Sequence, residues 1–399
     1  MGILEVQPPV SAYESVRFLT AQDSWRWGVG NFFVEKIPFS SRNGPVFAKK
    51  LVALYLKILE SSSIKEMSTY HVYEFGAGMG MLSFCFLNQL KIDNLEIYRK
   101  TRLHITDSCS EFVTQLKSIQ LFKDHLAQVE LSVMKAENPF FQPGAKPVFA
   151  FSTYLIDSLP AVHIESDNGQ LNELKVKTVL KDDVVILNTT VYPPTLFQAD
   201  QIASCLKKSS KERSLLGPKM LDLIEETYQT VSLDHSKGLS EEDEKSIRGY
   251  AETLPKDKLI RFNYVKGLNK HISGVMSHMH EDGAYLISDF GFVDIPPKYD
   301  SKFLIASYGV SVFFGVCFHY LNQYINQLGF STFISEQAED NTREFLIYKQ
   351  DSSGQLETLF KEEFSESDEE KISEVLDKMG DLTHDPGQLG VFMGLEARL

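Results

Sequence analysis

The run Tyr73-Glu74-Phe75-Gly76-Ala77-Gly78-Met79-Gly80 leaves an apolar, strand-like stretch and enters an apolar, helix-like stretch over residues 81–90. Glycines at 76, 78 and 80 allow a sharp turn and let a ligand approach bare backbone, and the following helix aims its first N–H groups at the same spot. The segment therefore reads as a nucleotide-cofactor loop, with Gly76, Ala77, Gly78 and Gly80 as its contacts. Glycine-rich turns of this spacing also serve ordinary strand-to-helix connections, so the discrimination comes from Glu74. An acid two residues before the first glycine stands at the carboxyl end of the strand. There it repels a pyrophosphate, but it can accept hydrogen bonds from a cationic, amino-acid-bearing ligand or order the loop that holds one. This favours S-adenosyl-L-methionine over NAD.

A second acid supports that choice. Asp107 follows the short apolar pattern Leu103-His104-Ile105-Thr106, and in doubly wound sheets an acid ending the second strand takes the ribose hydroxyls. Ser108 beside it completes the expected cofactor-binding set. The competing reading makes Asp107 the N-cap of a helix over residues 110–121, and both readings can hold at once.

The 399 residues are 43% hydrophobic and 24% charged, an ordinary composition for one large elaborated domain or two. A net charge of −14 argues against a nonspecific polyanion binder, so no nucleic-acid partner is expected. Cys85, Cys109, Cys205 and Cys317 are scattered with no C-x-x-C pair. They indicate neither a zinc site nor a disulfide framework, and they point to a reducing, cytoplasmic setting. No metal is expected. Residues 303–321 form the most apolar long segment, but Ser307, Ser311 and His319 interrupt it. It reads as a buried helix, and no membrane partner is expected.

From residue 70 the pattern alternates: strand 71–75, helix 82–90, strand 103–106, helix 110–121, strand 129–134 and strand 148–152. Such alternation implies a parallel sheet with helices on both faces. Before it, an aromatic, turn-rich lead with Trp25 and Trp27 enters an amphipathic helix over 46–59, and residues 1–69 are expected to cover the cofactor. The alternation stops after Pro160. Residues 162–165, 174–180 and 184–191 read as a small antiparallel meander with turns at 167–169 and 181–183. A helical, charged insertion is expected over 194–253, with 236–248 a solvated face or mobile loop. The core then resumes with helix 264–280, strand 284–288 and a long helix 305–327, and a hairpin of 331–335 with 345–349 closes the sheet. The expected organisation is thus a cofactor-covering segment (1–69), first core part (70–160), meander and insertion as acceptor or partner region (161–260), second core part (261–350) and an acidic tail (351–399). The fold class is α/β, a doubly wound, Rossmann-like sheet of the S-adenosyl-L-methionine-dependent methyltransferase kind, with a terminal antiparallel hairpin, a β-meander and a helical insertion.

Glu74 through Gly80, Asp107 with Glu111-Phe112, Leu155-Ile156-Asp157-Ser158-Leu159-Pro160, Gly169 through Glu173, and Gly283 through Gly291 occur in the order seen in the MidA-like family. The chain resembles a divergent member of that family of S-adenosyl-L-methionine-dependent methyltransferases. Its mitochondrial representatives are protein arginine methyltransferases that assist assembly of respiratory complex I. The likeness runs from about residue 39 to 349. It implies a protein acceptor, arginine by the family's habit. The family writes Asn-Glu where this chain has Thr153-Tyr154, so a carboxylate is missing from the end of the fourth strand, and Ser307-Tyr308-Gly309-Val310 replaces an Asp-Leu-Thr stretch.

Methyl transfer from a sulfonium is an in-line displacement, so a protein mainly aligns donor and acceptor and excludes water. An amine or guanidinium acceptor also needs carboxylates that hold it and help it lose a proton. Asp157 and Asp289, at strand ends, are the candidate catalytic acids, with turn anchoring as the alternative for each. Tyr154 is the candidate lining of the acceptor pocket, with packing as its alternative, and His163 reads as structural. A small-molecule O- or N-methyltransferase and a noncatalytic cofactor-binding assembly factor remain open, as does the oligomeric state.

Overall fold

A computed structural model describes residues 5–23, 26, 42–118, 120–180, 207–214, 224–294, 305–308, 311–336, 342–351 and 354–364. The aromatic lead at 27–41, the meander strand expected at 184–191, the turn at 181–183 and the acidic run from 365 onward lie outside these residues. In chain order the strands are β1 (Glu5–Val10), β2 (Tyr70–Phe75), β3 (Thr101–Asp107), β4 (Val129–Val133), β5 (Pro147–Thr153), β6 (Ala161–Asp167), β7 (Gln170–Leu180), β8 (Ile224–Ser232), β9 (Ile260–Val265), β10 (Ala284–Phe292), β11 (Ile305–Tyr308), β12 (Ser311–Phe314), β13 (Val316–Cys317), β14 (Ser331–Ile334) and β15 (Thr342–Tyr348). They divide between two compact units: residues 1–32, 158–266 and 295–315, and residues 33–157, 267–294 and 316–399.

The second unit is built on a sheet in the order β14-β15-β10-β5-β2-β3-β4. Pairing is parallel from β10 through β5, β2 and β3 to β4, and antiparallel along β10, β15 and β14. This is a mixed α/β fold with a mostly parallel central sheet and a closing hairpin, as the alternation predicts. All seven residues of β5 are buried, the mark of a strand covered on both faces by helices. The helix Met81–Asp93 buries Met81 to Leu87 without a gap. On the helix Pro45–Ile58, Pro45 sits at the first position, where its missing N–H costs nothing. The Tyr55 hydroxyl of that helix lies 2.8 Å from Thr101 Oγ1. Chain order reverses direction across the sheet between β2 and β5, so the loops after those strands flank a topological switch point, where open α/β sheets bind ligands.

The first unit holds an antiparallel sheet of β1, β7, β6 and β9, with β8 on the other edge of β7. The β6–β7 turn places Asn168 (φ 48°) and Gly169 (φ 78°) in the left-handed region, the geometry that Asn-Gly favours in two-residue hairpins. His163 is fully buried, and its Nδ1 lies 2.6 Å from Asn263 Oδ1. Asn263 Nδ2 donates to the Gly315 carbonyl at 3.0 Å, which fixes the amide so that His163 Nδ1 is the donor. Burial lowers the imidazole to about 4, so it stays neutral.

Three expectations are corrected. The helix expected over 264–280 is strand β9 followed by helix Leu268–His278, because Tyr264 and Val265 pair with Val162 and Ala161 and Gly267 enters the helix at φ 78°. The expected helix 305–327 is three short strands and then helix Phe318–Gln327. A continuous apolar run does not distinguish buried strand from buried helix, and here valines and phenylalanines favour the strand. The insertion expected to be helical contains β8, whose Thr227, Tyr228, Thr230 and Val231 suit an edge pleat. Within it, the acidic run forms the first turn of helix Glu241–Ala251, capped by Ser240, which accepts from the Asp243 N–H; of the two alternatives read for it, this is the solvated face rather than the loop. Among the described residues no helix is long and apolar enough to cross a membrane.

Gly291 lies on β10 where β13 comes alongside, and a Cβ there would stand 2.2 Å from the Val316 carbonyl oxygen and 2.8 Å from the Phe318 ring. Backbone cannot yield as a side chain can. Gly291→Ala should therefore lower unfolding free energy by about 3 kcal/mol, the upper range for overpacking, as read by urea denaturation. An unchanged midpoint would contradict this close approach.

Candidate functional site

All three loop glycines adopt left-handed backbone: Gly76 at φ 70°, Gly78 at φ 53° and Gly80 at φ 71°. The Ala77 N–H donates to the Thr106 carbonyl at 3.0 Å, and the Gly80 N–H donates to the Ala77 carbonyl at 2.9 Å. Together they fold the loop back across the end of β3 before the helix starts at Met81. The Gly78 N–H donates to Asp107 Oδ2 at 2.9 Å, while Oδ1 of the same carboxylate accepts from the Cys109 N–H at 2.8 Å. Asp107 is not the N-cap read for it, since the helix begins at Ser110 and Asp107 accepts from the N–H of Cys109 just before it; it forms an Asx turn ahead of the helix and also clamps the glycine loop. Ser108 beside it is exposed.

Glu74 is 2% exposed and lies beneath the loop, where the Ser83 hydroxyl, one turn into the following helix, donates to its Oε2. Burial pushes its carboxyl up to about 8, against the pull of the Ser83 hydrogen bond, and Asp107 adds to the rise. Its side-chain partner, Ser83, belongs to the helix that leaves the loop. At neutral pH the group is mostly protonated and serves as a neutral strut.

The turn after β5 meets this loop. Leu155 is 9% exposed, and its Cδ1 would stand 2.8 Å from a Cβ at position 76, so a side chain there would have to displace it as well as bear a left-handed φ. Tyr154 takes φ 51°, a strained value for an aromatic residue. Its N–H donates to the Ser288 carbonyl at 2.9 Å, and its ring stacks on Phe290 with centroids 5.1 Å apart. Asp289 holds the rest of the turn: Oδ2 accepts from the Ile156 N–H at 2.7 Å and the Asp157 N–H at 3.3 Å, and Oδ1 accepts from the Phe290 N–H at 2.9 Å. The Asp157 side chain also hydrogen-bonds Asp289, whose carboxyl burial pushes well above the usual range against these hydrogen bonds. The two acids therefore form a pair that keeps a proton toward neutrality.

The structure thus gathers Glu74, Gly76, Ala77, Gly78, Gly80, Asp107, Tyr154, Asp157 and Asp289 at one end of one sheet. It differs from the reading in where the two acids stand. Asp289 lies within β10, which runs on to Phe292, and it is wholly buried, as Asp157 nearly is. Sequence reading missed Ser83 and Leu155, and it missed the buried Arg42–Glu344 ion pair at 2.5 Å, where Arg42 also reaches Thr342 Oγ1 at 2.6 Å. It missed His271 as well, whose ring joins the Ala136 carbonyl to the Tyr285 hydroxyl at 2.8 Å each way. Leu155 sat inside a quoted motif, but an apolar residue announces no chemistry; Arg42 and Glu344 are too far apart in sequence to signal a pair. Among the described residues, no group of three or more His, Cys, Asp or Glu side chains is placed to hold a metal ion.

Because the folded-state carboxyl of Glu74 is raised above its ordinary value of 4.5, its contribution to stability is complete at low pH and is lost as pH rises toward about 8. Glu74→Gln keeps an acceptor for Ser83 and removes the titration. Between pH 5 and 8 the variant should lose less stability on alkalinisation than wild type, by up to about 1.4 kcal/mol per pH unit for one proton. Urea melts across that window check the difference, and parallel curves would contradict the buried neutral acid.

Residues 50–302 match the family model described as "Putative S-adenosyl-L-methionine-dependent methyltransferase". Among solved structures, the chain is similar to an uncharacterized protein from Burkholderia thailandensis at 14% identity, over 82% of this chain and 72% of that one, with a TM-score of 0.49. It is also similar to a Burkholderia thailandensis protein solved with S-adenosyl-homocysteine, at 12% identity, over 78% of each chain and with a TM-score of 0.45. No curated protein matches the sequence.

Proposed function

This chain belongs to the family of S-adenosyl-L-methionine-dependent methyltransferases, and from that premise we propose that it methylates a protein side chain, an arginine by its resemblance to the MidA-like family. S-adenosyl-L-methionine is the cofactor of the family. The observation that carries the site assignment is the Asp107 clamp on Gly78 at the switch point of the sheet. In this reading the backbone of Gly76, Ala77, Gly78 and Gly80 borders the donor, Asp107 and Ser108 serve its ribose, and Glu74 keeps the loop in shape. When bound, the cofactor supplies an electrophilic methyl group on a sulfonium. The chain's own contribution is alignment and exclusion of water, together with custody of one proton. Tyr154 lines the acceptor side, and the hydrogen-bonded Asp157 and Asp289 side chains are assigned that proton.

A second reading has one observation behind it. Tyr154 stands where the resemblance leads one to look for a carboxylate, and it is committed to a stack with Phe290. That favours a small-molecule N- or O-acceptor, or a noncatalytic assembly factor that binds the cofactor. A cytoplasmic setting is proposed on the cysteine usage: Cys85, Cys109 and Cys317 are buried and none is in a disulfide.

Incubation with methyl-labelled S-adenosyl-L-methionine and cell lysate separates these readings. Label should enter protein, and Asn at 157 and 289 should reduce transfer more than cofactor affinity. Label confined to small molecules would overturn the protein acceptor, and no label with a cofactor-binding protein would favour the assembly factor. Asp107→Ala should weaken S-adenosyl-homocysteine binding by about 1.5–3 kcal/mol, the range for hydrogen bonds to a charged group. A loss of thermal stability alone, with affinity in the folded protein unchanged, would reduce Asp107 to a turn anchor.

A further inference from the structure

The contact between Leu155 and Gly76 joins the two halves of the site. β5 lies between β2 and β10 in the sheet, so the turn after β5 has the glycine loop on one side and the end of β10 on the other. Three backbone N–H groups fasten it to β10, those of Tyr154, Ile156 and Asp157, through the Ser288 carbonyl and the Asp289 carboxylate. Tyr154, at φ 51°, stands immediately before Leu155. On the other side Leu155 covers Gly76 in van der Waals contact, filling the space a side chain at 76 would need. Gly76 holds φ 70° beneath this cover, a conformation that glycine adopts without the strain a side chain would bring.

We infer that Leu155 is a positioning residue for the cofactor: strapped to β10 through Asp289, it holds the glycine loop in its binding geometry from the acceptor side. The inference rests on the reading of residues 76–80 as the S-adenosyl-L-methionine loop. Its consequence is that the acceptor turn and the donor loop are one mechanical unit, so a change at Asp289 reaches the cofactor through Leu155 and by no direct contact. Residues in contact along such a path act non-additively.

The test is a double-mutant cycle on the full-length protein, with S-adenosyl-homocysteine titrated calorimetrically into wild type, Leu155→Ala, Asp289→Asn and the double variant. Leu155→Ala should weaken binding by about tenfold, and Asp289→Asn by less, since it keeps part of the turn's hydrogen bonding. The double variant should bind no more weakly than Leu155→Ala alone. Leu155→Met, which restores volume, should return affinity to within about twofold of wild type. Val275→Ala, in the helix Leu268–His278 at 0% exposure, is the stability control: it should lower the melting temperature and leave affinity unchanged. Normal binding by Leu155→Ala, an additive double variant, or equal weakening in Val275→Ala would each overturn the positioning role while leaving the cofactor loop in place. Failure of the wild-type protein itself to bind would instead overturn the loop reading, and the inference with it.

Discussion

One carboxylate organises the site. Asp107 ends β3 and divides its two oxygens between the Gly78 N–H, at 2.9 Å, and the Cys109 N–H, at 2.8 Å. It thereby ties the loop after one strand to the turn after the next. An unpaired N–H in a left-handed glycine loop would otherwise stay unsatisfied, and a charge-assisted acceptor there is stronger than a neutral one. The remaining features follow from this constraint. Gly78 can keep φ 53° because the bond holds it, and the helix after the loop starts where its first N–H groups face the switch point. Glu74 is shut beneath them and forced toward its neutral form.

The opposite bank uses the same chemistry with another acid. Asp289 gathers three N–H groups as Asp107 gathers two; Asp107 is the last residue of β3, whereas Asp289 lies within β10. They also differ in burial. Asp107 keeps 7% exposure whereas Asp289 has none and is hydrogen-bonded to the Asp157 side chain. The first geometry suits an acid that can still turn an oxygen to a ligand's hydroxyls; the second suits one that governs a turn. The strain at Tyr154 is the cost of bringing β10 and the glycine loop under one set of restraints, and strained backbone of this kind tends to gather at functional sites.

The parallel core was legible because its signals are local. Strands β2, β3 and β5 are apolar runs punctuated by glycine or acid, and the closing hairpin is two short runs joined by a polar turn. The glycine loop and Asp107 could be singled out as a unit because they stand at the ends of neighbouring strands, and the structure joins them through the Gly78 N–H. What the sequence concealed depends on pairing between distant segments. β8 and the strands at 305–317 were invisible as strands because their pleats exist only against partners, β7 for the first and one another or β10 for the rest. The direction in which Asp157 and Asp289 point was likewise not in the motif, since an Asp at a strand end can face a cleft or close a turn with equal propriety. Leu155 is the sharpest case: its importance lies in an atom missing from Gly76, which only coordinates reveal.

We propose that this glycine loop, with an acid below it and another clamping it, holds S-adenosyl-L-methionine. Calorimetric titration of the wild-type protein with S-adenosyl-homocysteine and, separately, with NAD measures that directly. The account predicts saturable one-to-one binding of S-adenosyl-homocysteine and no heat of binding with NAD. Saturable binding of NAD with no response to S-adenosyl-homocysteine would contradict it.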